Sequence, residues 1–170
     1  MRKKVNTATV LVVLLSASLA NAQATGAMHS AVGVWTLDLK QSTLPSPAPV
    51  KSVTLTILKD TPYEMAWRYE GVDTTGKSNT YSWSGPTDGT LQDLKDGDGQ
   101  PVAKESVKRD GDIVLRHGEI PNVQTMDARG TFSTDGNTFT IVETTKTQDG
   151  QTSTTTTVYH RVAGALPVSK

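Results

Sequence analysis

The sequence has no cysteine, few aromatic residues and no excess of charge of either sign. Among its 170 residues 5% are aromatic, and 17 basic side chains balance 17 acidic ones. Without cysteine there is no disulfide framework, zinc ribbon, iron–sulfur cluster, cysteine nucleophile or lipid-modified N-terminal cysteine. A formal charge of zero provides no basic stripe for phosphates, so we expect no nucleic-acid partner. Length and composition fit one globular domain.

The first 22 residues have the pattern of a secretory signal peptide. Residues 2–4 are basic, 8–20 form an apolar run, and 20–22 read Ala-Asn-Ala, the small residues of a cleavage site. The run is about 13 residues long, whereas a membrane-spanning helix needs about 20, so we expect no membrane span after cleavage. Cleavage after Ala22 or Ala24 removes three of the 17 basic side chains and none of the 17 acidic ones. The sequence therefore predicts a mildly acidic bacterial protein that is periplasmic or secreted.

Asp-Gly pairs divide the remaining chain into short segments. The pairs begin at Asp88, Asp96, Asp98, Asp110, Asp135 and Asp149. Aspartate tolerates the left-handed backbone conformation and glycine adopts it freely, so these pairs favour the tight turns of β-hairpins. Between the turns, apolar and polar residues alternate with the period of two that is typical of strands. The apolar positions that mark one face of a strand include Trp35 and Leu37, Val53, Leu55 and Ile57, Ile113 and Leu115, and Met126, Ala128 and Phe132.

The sequence predicts an all-β protein, an antiparallel up-and-down meander of about eight to ten strands that closes into a lipocalin-like barrel. Strands are expected near 34–40, 51–59, 62–71, 77–84, 101–108, 112–118, 123–134, 137–147 and 151–162. The best helix candidate, Leu91 to Lys95, is too short to be stable alone. The proline-rich segment 43–49 is expected to cross one end of the barrel.

The predicted domain organisation is simple. We expect a signal peptide at 1–22, a flexible leader at 23–32, one β-barrel domain at 33–163 and a C-terminal tail at 164–170.

Gly33-Val34-Trp35, which opens the first strand, resembles the Gly-x-Trp motif of the lipocalin and wider calycin group. The chain is still more similar to small exported bacterial proteins of lipocalin-like type, through a Lys-x-Ser and proline-containing segment at 40–49 and a final strand with Val158-Tyr159. The resemblance implies a small β-barrel with a ligand cavity. It also implies that Trp35 closes the base of the barrel and that Arg161 packs over it, since a guanidinium on an indole face is held by a cation–π attraction.

The chain departs from the related intracellular fatty-acid carriers in its last strand. Those proteins hold a lipid carboxylate with Arg-x-Tyr, but the corresponding residues here are Thr157-Val158-Tyr159. The head group of a bound fatty acid would then be met by Arg116 or Arg129, or it would stay in water at the mouth of the barrel.

Aromatic residues concentrate on one predicted hairpin. Tyr63, Met65, Trp67, Tyr69, Tyr81 and Trp83 share one face of it by alternation. This face either fills the barrel as core or lines a pocket. We predict that the protein binds a small lipophilic or amphiphilic ligand, with Trp67, Tyr69, Tyr81 and Trp83 lining the site and Arg116 or Arg129 as polar contacts. The alternative is a non-catalytic structural or protein-interaction barrel with a filled core and no cavity.

Catalytic motifs are absent from the sequence. It contains no Gly-x-Ser-x-Gly elbow and no glycine-rich phosphate loop. His117 and His160, with Glu119 or Glu143, are the remaining candidates for a metal or acid–base site of a hydrolase or isomerase. Two isolated histidines lack the spacing of metal ligands, so we expect a non-enzymatic protein without a metal or cofactor.

Overall fold

The structure, a computed structural model, describes residues 29–44 and 50–164. Ten β-strands account for most of these residues. They are β1 Gly33–Leu37, β2 Val50–Asp60, β3 Glu64–Asp73, β4 Ser78–Pro86, β5 Gln92–Asp96, β6 Pro101–Asp110, β7 Ile113–Ile120, β8 Gln124–Phe132, β9 Thr138–Thr147 and β10 Thr152–Arg161. The described residues include no helix with the length and apolar character needed to cross a membrane. The predicted signal peptide lies outside the described residues.

The strands form one closed barrel in which each strand pairs antiparallel with its neighbours in sequence. Closure comes from β1, which pairs with β2 on one side and β10 on the other, so that Trp35 lies opposite both Leu55 and Arg161. The predicted all-β, up-and-down barrel is confirmed. A closed sheet leaves no long strand edge unpaired, which protects a protein of this class from edge-to-edge association.

The segment Leu91 to Lys95, judged too short to be a stable helix, contributes to a strand that the sequence did not predict, since residues Gln92–Asp96 form β5. This short strand pairs with β6 from Gln92 opposite Glu105 to Lys95 opposite Pro101, and with β4 at only two positions. Cross-strand hydrogen bonds therefore decide the conformation of a segment whose own preference is weak.

Aspartate side chains organise the hairpin turns, as the Asp96 turn illustrates. Its Oδ1 accepts hydrogen bonds from the backbone N–H groups of Asp98 and Gln100 at 3.0 and 2.8 Å. Gly99 in the same turn has a φ of 79°, which a residue with a Cβ adopts only with strain. The aspartate thus fixes the turn, while the glycine allows its backbone to reverse.

The described part of the predicted leader, residues 29–32, packs across one end of the barrel. The backbone N–H of Ala31 donates to Asp60 Oδ2 at 2.8 Å, and Arg109 Nη2 donates to the same oxygen at 3.1 Å. Arg109 Nη2 also donates to the carbonyl of His29 at 3.0 Å. Ala31 is fully buried. The sequence pattern alone gave no sign of these contacts, which fix residues 29–32 to the barrel.

The described part of the predicted crossing segment continues β1 along β10. Asp38 N donates to the carbonyl of Val158, and Thr43 exchanges two backbone hydrogen bonds with Thr156. The prolines at 45, 47 and 49 lie outside the described residues. Leu44, the last described residue before them, lines the barrel interior.

Candidate functional site: the barrel cavity

The barrel encloses a cavity of about 410 Å³. Its walls are mainly apolar side chains that point inward from alternate positions of the strands. The apolar and aromatic lining residues are Leu37, Leu44, Val50, Val53, Leu55, Ile57, Met65, Trp67, Tyr69, Tyr81, Leu94, Val114, Met126, Phe139, Ile141 and Tyr159. The filled-core alternative is therefore wrong: the inward aromatic residues line a space instead of filling it.

The floor of the cavity is an aromatic cluster around Trp35, which is fully buried. Its ring centroid lies 5.5 Å from that of Phe132 and 6.1 Å from that of Phe139, and the two phenylalanine rings stack at 4.2 Å. The indole Nε1 of Trp35 donates to the carbonyl of Ala31 at 2.9 Å, so its one polar group is satisfied. This cluster separates the cavity from the end of the barrel that residues 29–32 cover.

Arg161 covers the outer side of the floor, as the resemblance implies. Its guanidinium carbon lies 4.3 Å from the Trp35 ring centroid, and Nη1 donates to the carbonyl of Val32 at 2.7 Å. The glycine of Gly-x-Trp makes this contact possible, because a Cβ built on Gly33 would lie 2.8 Å from Arg161 Nη1. The motif thus specifies a close approach of backbone and arginine at the barrel base.

Among the residues that the structure describes, three charged side chains line the wall of this mainly apolar cavity: Glu105, Arg116 and Glu143. Glu105 and Arg116 form a bidentate ion pair, in which Arg116 Nε donates to Oε1 at 2.7 Å and Nη2 donates to Oε2 at 2.8 Å. The Glu105 side chain is 1% exposed and that of Arg116 is 20% exposed. Burial opposes the charge of Arg116, but the attraction and hydrogen bonds of Glu105 hold the pKa of this arginine above its usual value.

Burial shifts the pKa of three further groups in the cavity wall, Glu143, Tyr159 and Tyr69. Burial raises the pKa of Glu143; the nearby Arg116 counteracts this shift and the charge of Glu105 reinforces it. Burial also raises the pKa of Tyr159 to about 12, and that of Tyr69 above its usual value. The wall therefore disfavours additional negative charge at these three positions.

Glu143→Gln should raise the thermal stability of the protein at neutral pH. A carboxyl whose pKa is higher in the folded than in the unfolded state destabilises the fold once it ionises, so stability is lost as the pH rises above its ordinary pKa of about 4.5. Gln cannot ionise, so the substitution removes this loss of stability. Thermal midpoints of the two proteins should converge as the pH falls toward that value and diverge toward neutrality. Equal midpoints at all pH values would contradict the expectation, and Glu70→Gln on the exposed outer face of β3 is the matched control.

Trp67 presents an unused hydrogen-bond donor. This residue is 7% exposed, lines the cavity, and its indole Nε1 is buried without a hydrogen-bond partner. The guanidinium of Arg116 lies over its ring, 5.1 Å from the centroid. The N–H of Trp67 is thus available to an acceptor, because a buried donor without a partner is costly.

The structure brings together four of the six predicted ligand-binding residues. Trp67, Tyr69, Tyr81 and Arg116 line the cavity. Trp83 does not; it is 2% exposed, and its Nε1 donates to the backbone carbonyl of Glu105 at 2.9 Å, which makes it part of the barrel wall.

Arg129 lies on the outside of the barrel, so its predicted contact with a ligand in the interior is wrong. It is exposed and borders a shallow outer surface with Leu115 and Val142. Tyr63, which alternation places on the inner aromatic face, precedes β3 and is 81% exposed.

On β7 the face marked by Ile113 and Leu115 is the outer one. Val114 is buried and Arg116 lines the cavity, whereas Leu115 is 40% exposed on the outside. Arg116 therefore points inward at a position where the apolar pattern favoured the opposite face. The reason is its partner: Glu105 on the adjacent strand satisfies the guanidinium inside the barrel.

Sequence reasoning missed the role of Glu105 and placed Glu143 in a different context. Ala103 and Val107 point inward, and Glu105 lies two residues from each of them. The alternation along β6 therefore predicts that Glu105 also points inward. Glu143 was a candidate partner for the histidines, but it faces the cavity.

The two candidate histidines do not converge. His117 Nδ1 lies 2.7 Å from Asp127 Oδ1 and its Nε2 lies 3.1 Å from Glu119 Oε1, all on exposed side chains. These hydrogen bonds, first that with Asp127, raise the pKa of His117. His160 instead pairs with Asp38 at 3.3 Å. In the part of the chain that the structure describes, no group of three or more His, Cys, Asp or Glu side chains is arranged to hold a metal ion.

No family model matches the sequence, and no curated protein matches it. Solved structures do match. The wild-type fluorescent protein UnaG aligns with a TM-score of 0.52 and 14% identity, over 77% of this chain and 96% of that one. Zebrafish ileal bile acid-binding protein, in complex with cholic acid, aligns with a TM-score of 0.50 and 14% identity, over 78% of this chain and its whole length. At these identities the likeness shows a shared fold, a calycin-type β-barrel.

Proposed function

We propose that the protein is an extracytoplasmic binding protein that holds one small lipophilic or amphiphilic molecule inside its barrel. The observation that carries the proposal is the cavity of about 410 Å³, walled by apolar and aromatic side chains over a closed aromatic floor. Binding sites for small molecules are typically about 300–1,000 Å³, mainly apolar, with a few polar groups that orient the ligand. The extracytoplasmic location rests on the signal-peptide pattern of residues 1–22.

The apolar wall provides the driving force for binding. Each Å² of apolar surface removed from water contributes about 25 cal/mol, so a ligand that buries about 200 Å² gains about 5 kcal/mol before the costs of association. The zebrafish relative in fold was solved with cholic acid, an amphiphile, which supports the same class of ligand here. The histidines on the outer face give no support for catalysis in this cavity.

Thr155→Trp should block binding, whereas Thr154→Trp should not. The two threonines are neighbours on β10, but Thr155 lines the cavity and Thr154 is exposed, where its hydroxyl lies 3.2 Å from that of Thr144. An indole at 155 occupies ligand space, so we expect Nile red, an uncharged apolar dye, to bind at least about tenfold more weakly, a factor that corresponds to about 1.4 kcal/mol. Fluorescence titration of the three proteins measures this.

Circular dichroism should first establish that both variants keep the β-sheet spectrum of the parent chain. A folded Thr155→Trp variant that binds Nile red as tightly as the parent would place the dye outside the cavity and contradict the proposal. Failure of the parent chain to bind the dye would contradict it as well.

A further inference from the structure

The charges in the cavity restrict the kind of head group that a ligand can carry. Two carboxyl groups and one guanidinium line it, those of Glu105, Glu143 and Arg116. Burial weakens the screening of such charges by water, so each has a large effect on a charged ligand.

A ligand carboxylate finds no free counter-charge. The two nitrogens of Arg116 that form a planar fork, Nε and Nη2, are both occupied by the two oxygens of Glu105. The Glu105 side chain is 1% exposed, so it cannot swing into water to release the arginine. A second anion would share one guanidinium with a buried carboxylate, and like charges in such proximity repel each other.

Glu143 adds to this repulsion. Its carboxyl lines the same cavity, and Arg116, the only basic side chain among the described lining residues, is already paired. The raised pKa of Glu143, caused mainly by burial, reflects the same resistance of the wall to negative charge.

An uncharged head group, by contrast, meets no such repulsion. A hydroxyl or carbonyl oxygen brings no charge into the cavity.

We propose, on the basis of the binding function proposed above, that the cavity prefers amphiphiles with an uncharged head group, a hydroxyl or a carbonyl, to anionic ones. Alkyl carboxylates of the same length bind more weakly. The ion pair between Glu105 and Arg116 and the carboxyl of Glu143 determine this selectivity.

Calorimetric titration with 1-decanol and decanoate at neutral pH tests the proposal, because the two share one alkyl chain and differ only in head group. We expect 1-decanol to bind at least about tenfold more tightly than decanoate, which corresponds to about 1.4 kcal/mol. Decanoate binding as tightly as 1-decanol would overturn the proposal.

Glu143→Gln tests the origin of the selectivity. Removal of this carboxyl should raise the affinity for decanoate about tenfold and so narrow the preference for 1-decanol. Glu70→Gln makes the same chemical change on the outer face and should alter neither affinity. If Glu143→Gln binds decanoate no more tightly than the parent chain, Glu143 does not contribute to the selectivity.

Binding of Nile red distinguishes a failure of the proposed selectivity from a failure of the proposed binding function. A chain that binds Nile red but does not prefer 1-decanol is a binding protein with a different selectivity. A chain that binds neither Nile red nor any of the decyl compounds contradicts both proposals.

Discussion

Trp35→Ala is expected to lower the free energy of unfolding by about 3–5 kcal/mol, the range measured for truncation of buried large aromatic residues. The side chain is fully buried between Phe132, Phe139 and Arg161, so its removal leaves a void at the floor of the barrel. It also leaves the carbonyl of Ala31 without its indole donor. Urea unfolding monitored by far-ultraviolet circular dichroism measures the change.

Tyr63→Ala is the control for this prediction. Tyr63 is aromatic too, but it is 81% exposed, so its truncation should change stability by no more than about 0.5 kcal/mol. A loss of less than about 1 kcal/mol for Trp35→Ala would show that the aromatic floor is not a main source of stability, contrary to our account of the barrel base.

Glu105→Gln is expected to lower the free energy of unfolding by about 3 kcal/mol, because it leaves a largely buried guanidinium without a counter-charge. Gln retains the shape of the side chain, so the loss reports the charge. Replacing both partners, by Glu105→Leu with Arg116→Met, should recover most of this stability, since a buried ion pair adds little over well-packed apolar groups. Chemical denaturation of the three variants measures these differences.

The exposed pair of Asp93 and Lys104 provides the comparison. Its Oδ1–Nζ distance is 2.6 Å, but the side chains are 40% and 53% exposed. Asp93→Asn should therefore cost no more than about 1 kcal/mol. A similar loss for Glu105→Gln and Asp93→Asn would contradict the view that Glu105 neutralises a charge inside the cavity.

Much of the fold was predictable because the strands carry local signals. Alternation identified β2 through Val53, Leu55 and Ile57, all of which line the cavity. The strand β5 was missed because its sequence, Gln-Asp-Leu-Lys-Asp, has a single apolar residue. Its conformation depends on pairing with β4 and β6, and such long-range contacts leave no local pattern.

The residues that line the site were predictable where alternation identifies the inner face of a strand. The outward position of Arg129 was predictable from alternation. Met126 and Ala128 mark the inner face of β8, and Arg129, which directly follows Ala128, lies on the opposite face. Arg116 illustrates the limit: the apolar pattern of β7 favours the face of Leu115, and only the position of Glu105 on β6 explains why the arginine points inward. Pairing between strands, which determines such ion pairs, is a three-dimensional property.

The central claim is that a lipophilic molecule binds inside the barrel, and the three tryptophan indole N–H groups test it most directly. Those of Trp35 and Trp83 donate to the carbonyls of Ala31 and Glu105, whereas that of Trp67 has no partner and belongs to a residue that lines the cavity. In proton–nitrogen NMR spectra recorded during the Nile red titration, the Trp67 indole signal should shift the most and saturate with the dye, while the signals of Trp35 and Trp83 change little. A saturating titration in which the Trp67 signal does not move would contradict binding in the cavity.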